Sequence, residues 1–187
     1  DYETADGTRR MLDDRERRDL LQMFERFGED GYRVLGVASR AMSRTHDDAI
    51  VSDETKLSFA GFTLFVDPPK SDAAAAIQSL AAIGVDVKIL TGDNERVARH
   101  ICNEIGVEVR NALTGQELMH MTEEALRARL ASTNLFCRVA PQQKERILLA
   151  LKRSGKVVGF LGDGINDASA LHAADVGISV DGAADVA

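Results

Sequence analysis

Residues 156–167 read KVVGFLGDGIND: an apolar run that breaks into Gly162-Asp163-Gly164-Ile165-Asn166-Asp167 and passes into a helix expected over 166–173. A short apolar run bounded by glycine reads as a strand buried on both faces, and the polar cluster after it sits where strand hands over to helix. The same grammar recurs upstream. A strand expected at 86–90 runs into Thr91-Gly92-Asp93-Asn94 and a helix over 94–105, and a strand at 135–138 runs into a helix over 141–152. Further helices are expected at 72–83 and 122–130, and a last strand at 176–180. Helices alternating with short Val, Ile and Leu strands build βαβ units, so the predicted class is α/β, a Rossmannoid parallel sheet flanked by helices.

Before Pro69 the pattern differs. Leu20, Leu21, Met23, Phe24 and Phe27 fall at helical spacing in a helix expected over 14–27 and closed by Gly28 and Gly31. Two β-rich runs, 32–38 and 57–66, flank a polar loop and are expected to pair antiparallel. Asp67-Pro68-Pro69 ends this smaller α+β part, which predicts two domains, 1–66 and 67–187.

Of the 187 residues 44 % are apolar and 28 % charged, a globular balance that excludes intrinsic disorder and fibrous repeats. A net charge of −7 argues against a nucleic-acid partner. Between Asp72 and Asp86 lies the longest uncharged run, 13 residues. A membrane-spanning helix needs about 20. The charged start at Asp1, Glu3, Asp6, Arg9 and Arg10 is unlike a signal peptide. Cys102 and Cys137 lie far apart in sequence and read as small buried side chains in a reducing compartment. His46, His100, His120 and His172 stand singly, without ligand spacing, and Met119 and Met121 read as core-edge or loop residues.

In a parallel sheet the ligand site lies beyond the carboxyl ends of the strands. Those ends carry Thr91, Gly92, Asp93 and Asn94, then Arg138 with Lys144 behind it, then Asp163, Asn166 and Asp167. Thr91-Gly92-Asp93 alone could be a helix entry with Asp93 or Asn94 as its cap. Together, a hydroxyl, carboxylates, amides, cations and glycines on one rim suit phosphate and a hard cation such as Mg²⁺.

TGDN at 91–94, RVAPQQK at 138–144 and GDGINDASAL at 162–171 resemble the phosphorylation-domain motifs of P-type ATPases, in the haloacid dehalogenase superfamily. DPPK at 67–70 resembles that family's hinge, and GYRVLGVA at 31–38 resembles the nucleotide-domain segment whose Arg meets ATP. FVDPPK with ADVGISVDGAADVA is most similar to the magnesium-importing bacterial branch.

The resemblance implies a haloacid dehalogenase-like sheet in 67–187, with 1–66 as the C-terminal part of a nucleotide-binding domain. It implies ATP and Mg²⁺ as cofactors, with Asp163 as metal ligand. Thr91 and Asn166 would hydrogen-bond the phosphoryl group, Lys144 would neutralise its charge, and Asp167 would orient that Lys. Asp93 would support the metal and nucleotide shell, and Gly92 would let the backbone come close. Arg33, Asp67, Lys70, Asn94 and Arg138 would make nucleotide-side and hinge contacts.

The chain departs from the family pattern twice. Ser169 stands where the family usually has Pro, and no Asp-Lys-Thr-Gly-Thr occurs, so the aspartate that accepts the γ-phosphoryl group is absent. The expectation is an excerpt of a cation-transporting ATPase at the cytoplasmic face of the cell membrane, inactive alone. Its partners would be ATP and the rest of the same polypeptide, and the two strand edges flanking the absent strand would be open to self-association. Two alternatives stay open. A soluble haloacid dehalogenase-type phosphatase needs its own nucleophile, yet Asp13-Asp14 and Asp47-Asp48 follow no apolar strand. A non-catalytic Mg²⁺- or nucleotide-binding module needs none.

Overall fold

The structure is a computed structural model that describes residues 1–4, 8–42, 48, 50–162 and 165–179. Asp163 and Gly164 of the GDG motif lie outside the described residues, as do Asp6, His46, Asp47 and Val180. The chain divides into two compact units, Asp1–Pro68 and Pro69–Ala187, and the division falls between the two prolines.

The first unit holds β1 (Tyr2–Glu3), β2 (Arg9–Arg10), α1 (Asp14–Glu29), β3 (Arg33–Ser39) and β4 (Ser58–Phe65). Its strands lie in the order β2-β1-β4-β3. The expected antiparallel pair is β3 with β4, from Arg33 opposite Phe65 to Ser39 opposite Ser58. The β1–β2 pair was not anticipated, because two-residue strands carry no readable period. A capping box starts α1: the Asp13 carboxylate accepts from the Glu16 N–H at 2.7 Å, and the Asp13 N–H donates to Glu16 Oε2 at 3.0 Å. The helix runs past Phe27 and through buried Gly28, so Gly28 does not close it. The stop is Gly31, at φ +86°, a conformation that costs glycine little. Phe24 and Phe27 meet the Phe62 ring at 6.2 and 6.3 Å between centroids, which seats α1 on one face of β4.

In the second unit the order is α2 (Ala73–Ala82), β5 (Ile89–Leu90), α3 (Glu95–Glu104), β6 (Ala112–Thr114), α4 (Gly115–His120), α5 (Glu123–Leu130), β7 (Leu135–Cys137), α6 (Pro141–Arg153), β8 (Gly159–Gly162), α7 (Ala168–Ala173) and β9 (Val176–Ser179). Every strand pairing here is parallel, in two sheets, β5-β7-β6 and β8-β9. This is the α/β class expected. Among the described residues β5, β6, β8 and β9 each pair on one side only.

Two strands start three residues later than expected. At 86–90 only Ile89 and Leu90 pair; Lys88 instead donates to the carbonyls of Leu130 (2.7 Å) and Thr133 (2.8 Å) and meets Asp86 at 3.1 Å. β8 begins at Gly159 because the preceding Val158 N–H bonds the Asp175 carboxylate at 2.9 Å. α4 was missed altogether. The Thr114 hydroxyl and Glu117 carboxylate form a capping box that starts a helix there.

The sides of β7 alternate. Leu135 and Cys137 pack with Ala98 and Cys102 of α3 and Ile77 of α2. Phe136 faces the other way, against Leu113, Leu118, Leu126 and Ile147. Each such fully buried side chain stabilises by roughly 1.5–3 kcal/mol. Leu90 packs against this second cluster and also against the cluster of Leu148, Val158 and Ala170, so the two sheets share one layer of core. Both cysteines are buried free thiols, and burial pushes the Cys137 thiol up to about 12, which keeps it protonated and inert. Among the described residues no helix is long and apolar enough to cross a membrane.

Candidate functional site at the strand ends

Beyond Leu90 the chain closes a small ring. The Asp93 N–H donates to Thr91 Oγ1 at 3.0 Å, and the Thr91 hydroxyl donates to Asp93 Oδ2 at 3.0 Å. Asn94 then caps α3, its Oδ1 accepting from the Val97 N–H at 3.1 Å. So the helix-entry reading of this stretch holds for Asn94, while Thr91 and Asp93 bind each other at the strand end.

The neighbouring strand end grips this loop through its backbone. The Arg138 N–H donates to the Asp93 carbonyl at 2.9 Å, and the Val139 N–H donates to the Thr91 carbonyl at 3.1 Å. Arg138 takes the left-handed region to do so, at φ +51°, a costly conformation for a residue with a side chain. Its side chain is exposed. Pro141 opens α6 at the first helical position, where its missing N–H costs nothing.

One turn into α6, Lys144 Nζ donates to Asp167 Oδ1 at 2.6 Å, with only 14 % and 12 % of the two side chains exposed. Asp167 ends the short 3-10 turn Ile165–Asp167 that leads into α7. Room for it depends on Gly162: a Cβ there would stand 2.7 Å from the Asp167 Cβ. Asn166, beside it, is exposed. Gly92 is different. A Cβ there would meet nothing within 4 Å, so the fold does not require glycine at that position.

The structure thus brings Thr91, Asp93 and the Arg138 backbone together, and it pairs Lys144 with Asp167. Arg33 and Asp67 are exposed in the first unit, Arg33 at the start of β3 and Asp67 after β4. Lys70 is exposed near the start of the second unit. Two residues that sequence reading passed over also belong to this rim. Gln143 accepts from the Ala140 N–H at 2.9 Å and donates to the Gly115 carbonyl at 2.6 Å. The available signal was a Gln two residues after a helix-opening Pro, at the capping-box position.

The oxygen donors at this rim are carboxylates and a hydroxyl, hard ligands of the kind Mg²⁺ takes one or two of before completing its shell with water and phosphate. The donor type suits that ion, but Asp93 and Asp167 are bonded to Thr91 and Lys144, and among the described residues no three such side chains gather to hold a metal. The sequence pattern of haloacid dehalogenase-like hydrolases matches residues 8–175. The chain belongs to this family.

Among relatives of this haloacid dehalogenase-like chain is a magnesium-transporting P-type ATPase of Salmonella typhimurium, 46 % identical over 94 % of the chain and 20 % of that protein. A magnesium-transporting P-type ATPase of Escherichia coli is 44 % identical over the same shares. A calcium-transporting ATPase of Listeria monocytogenes is 33 % identical over 100 % of the chain and 21 % of that protein. The resemblance to P-type ATPases read from TGDN, RVAPQQK and GDGINDASAL is thereby borne out. The chain spans about a fifth of the length of these relatives.

Proposed function

We propose that this chain is a cytoplasmic portion of an ATP-driven cation transporter, with Mg²⁺ as the transported ion, that binds ATP and Mg²⁺ and stabilises an aspartyl phosphate. The observation that carries this reading is the Lys144–Asp167 pair: an ammonium on α6, the helix that starts three residues after Arg138, held by the buried carboxylate that precedes α7. Lys144 meets the charge that develops on a transferring phosphoryl group, and Asp167 fixes where that charge is met. The Asn166 amide donates to phosphoryl oxygens, and the Thr91 hydroxyl does so by turning its one proton away from Asp93 Oδ2. Gly92 leaves the backbone open to the ligand. Arg138, Asn94, Lys70, Asp67 and Arg33 serve the nucleotide side. By family resemblance Asp163 holds the catalytic Mg²⁺, which when bound neutralises part of the phosphoryl charge. The attacking carboxylate comes from polypeptide beyond these 187 residues. Support comes from the transporters among the relatives and from two groupings at strand ends, Thr91 with Asp93 and Lys144 with Asp167.

Calorimetric titration of the chain with ATP and Mg²⁺ is expected to show binding without phosphate release. In the longer transporter, Lys144→Met is expected to lower phosphoenzyme formation by about 100-fold or more. Phosphate release by the chain alone, or an unchanged phosphoenzyme level in the variant, would overturn the proposal.

A further inference from the structure

Gln143 precedes Lys144, yet its side chain reaches in two other directions. Its Oε1 accepts the Ala140 N–H (2.9 Å), which ties it to the loop carrying Arg138 and Val139. Its Nε2 donates to the Gly115 carbonyl (2.6 Å), on the first turn of α4. Gly115 is buried, and a Cβ there would lie 2.7 Å from Gln143 Oε1 and would collide with the Arg138 carbonyl. The first turn of α4 can therefore approach the 138–140 loop only because residue 115 lacks a side chain. That loop is the one whose N–H groups grip the carbonyls of Thr91 and Asp93.

We infer that Gln143 is a positioning residue, which with Gly115 locks the 138–140 loop and the start of α6 against α4 and so sets the register of Thr91, Asp93 and Lys144. The inference rests on the reading of those three residues as the phosphoryl site. A capping role alone does not account for the amide. A helix N-terminus favours a carboxylate, and Glu serves the cap as well as Gln does. Only a side chain that accepts at one atom and donates at the other makes both bonds, and a Glu carboxylate has no proton for Gly115. The donated bond also spans 28 positions of sequence, so it fixes tertiary rather than local structure.

The test is nuclear magnetic resonance of the full 187-residue chain without ligand, following the Thr91 and Asp93 amides and the Lys144 ammonium. Gln143→Ala and Gly115→Ala are expected to shift both amides and to lose the Lys144 ammonium signal through faster proton exchange. Thr122→Ala, which removes a cap from α5, is expected to leave all three in place. Gln143→Glu gives the decisive arm. At pH 7 it shifts the signals, and the difference from the unsubstituted chain at the same pH closes as pH falls through about 4, where the acid regains a proton to donate. Should the alanine variants fail to fold, this pH series still decides. Signals that coincide with the unsubstituted chain in every folded variant at every pH would overturn the inference. Because no ligand is present, that outcome is separate from a failure of phosphate or nucleotide binding.

Discussion

Lys144 and Asp167 show how a buried ion pair can be a structural debt. Both side chains are largely removed from water, so each needs the other. Replacing Lys144 by Met strands a buried carboxylate and is expected to cost about 3 kcal/mol in urea unfolding. Lys144→Met with Asp167→Leu should recover much of that loss, because an apolar pair of similar volume needs no partner. A single variant as stable as the original would refute this account. The glycines divide in the same experiment. Gly162→Ala places a methyl 2.7 Å from Asp167 Cβ and is expected to cost roughly 1–3 kcal/mol. Gly92→Ala meets open space and should shift the midpoint little, so any loss of phosphate affinity in it reports on ligand approach. Thr91 could be placed at a strand end from sequence because it directly follows an apolar run, and Asp93, Lys144 and Asp167 because they lie in the polar stretches after such runs. Gln143 and Gly115 could not, since what they do depends on α4 closing onto a loop more than 20 positions away.

At the scale of elements, the ends are set by single side chains. Asp175 starts β9 by accepting the Val158 N–H, and Lys152 of α6 meets it at 3.0 Å. These contacts hold its carboxyl below the usual carboxylate value. A depressed native pKa means the unfolded chain takes up the proton first. The stabilisation is therefore present above about pH 4 and is lost as pH falls through the lowered native value. Asp175→Asn should lose less stability between pH 6 and pH 3 than the unsubstituted chain, as followed by urea titration at each pH; an equal loss would contradict the assignment. Such side-chain competition also explains where sequence reading overshot. The apolar patterns at 86–90 and 156–161 are longer than the strands they yield; at the second, the Val158 N–H goes to the Asp175 carboxylate outside the ladder. α1 and α6, with long amphipathic faces and ordinary caps, were legible to within two residues.

For the whole molecule, the notable surface is on the second sheet. Leu161, Val176 and Ile178 of β8 and β9 are each at least half exposed, and β8 pairs on one side only among the described residues. Parallel strands ordinarily carry cover on both faces, and a half-paired edge recruits other chains. Sedimentation velocity is expected to show concentration-dependent association of the chain. Ile178→Lys should reduce it, and a monomer at every concentration would count against the exposed sheet as an adhesive face. The division at Pro68–Pro69 separates two folding problems as well as two cores. In the first unit β3 and β4 meet across a single loop, the nearest partners, Ser39 and Ser58, being 19 positions apart. In the second, Ile89 must find Leu135, 46 positions later, across three intervening helices and a strand. Loop-closure entropy slows the second search, so on refolding from urea the β3–β4 hairpin should gain hydrogen-exchange protection before β5 and β7 do.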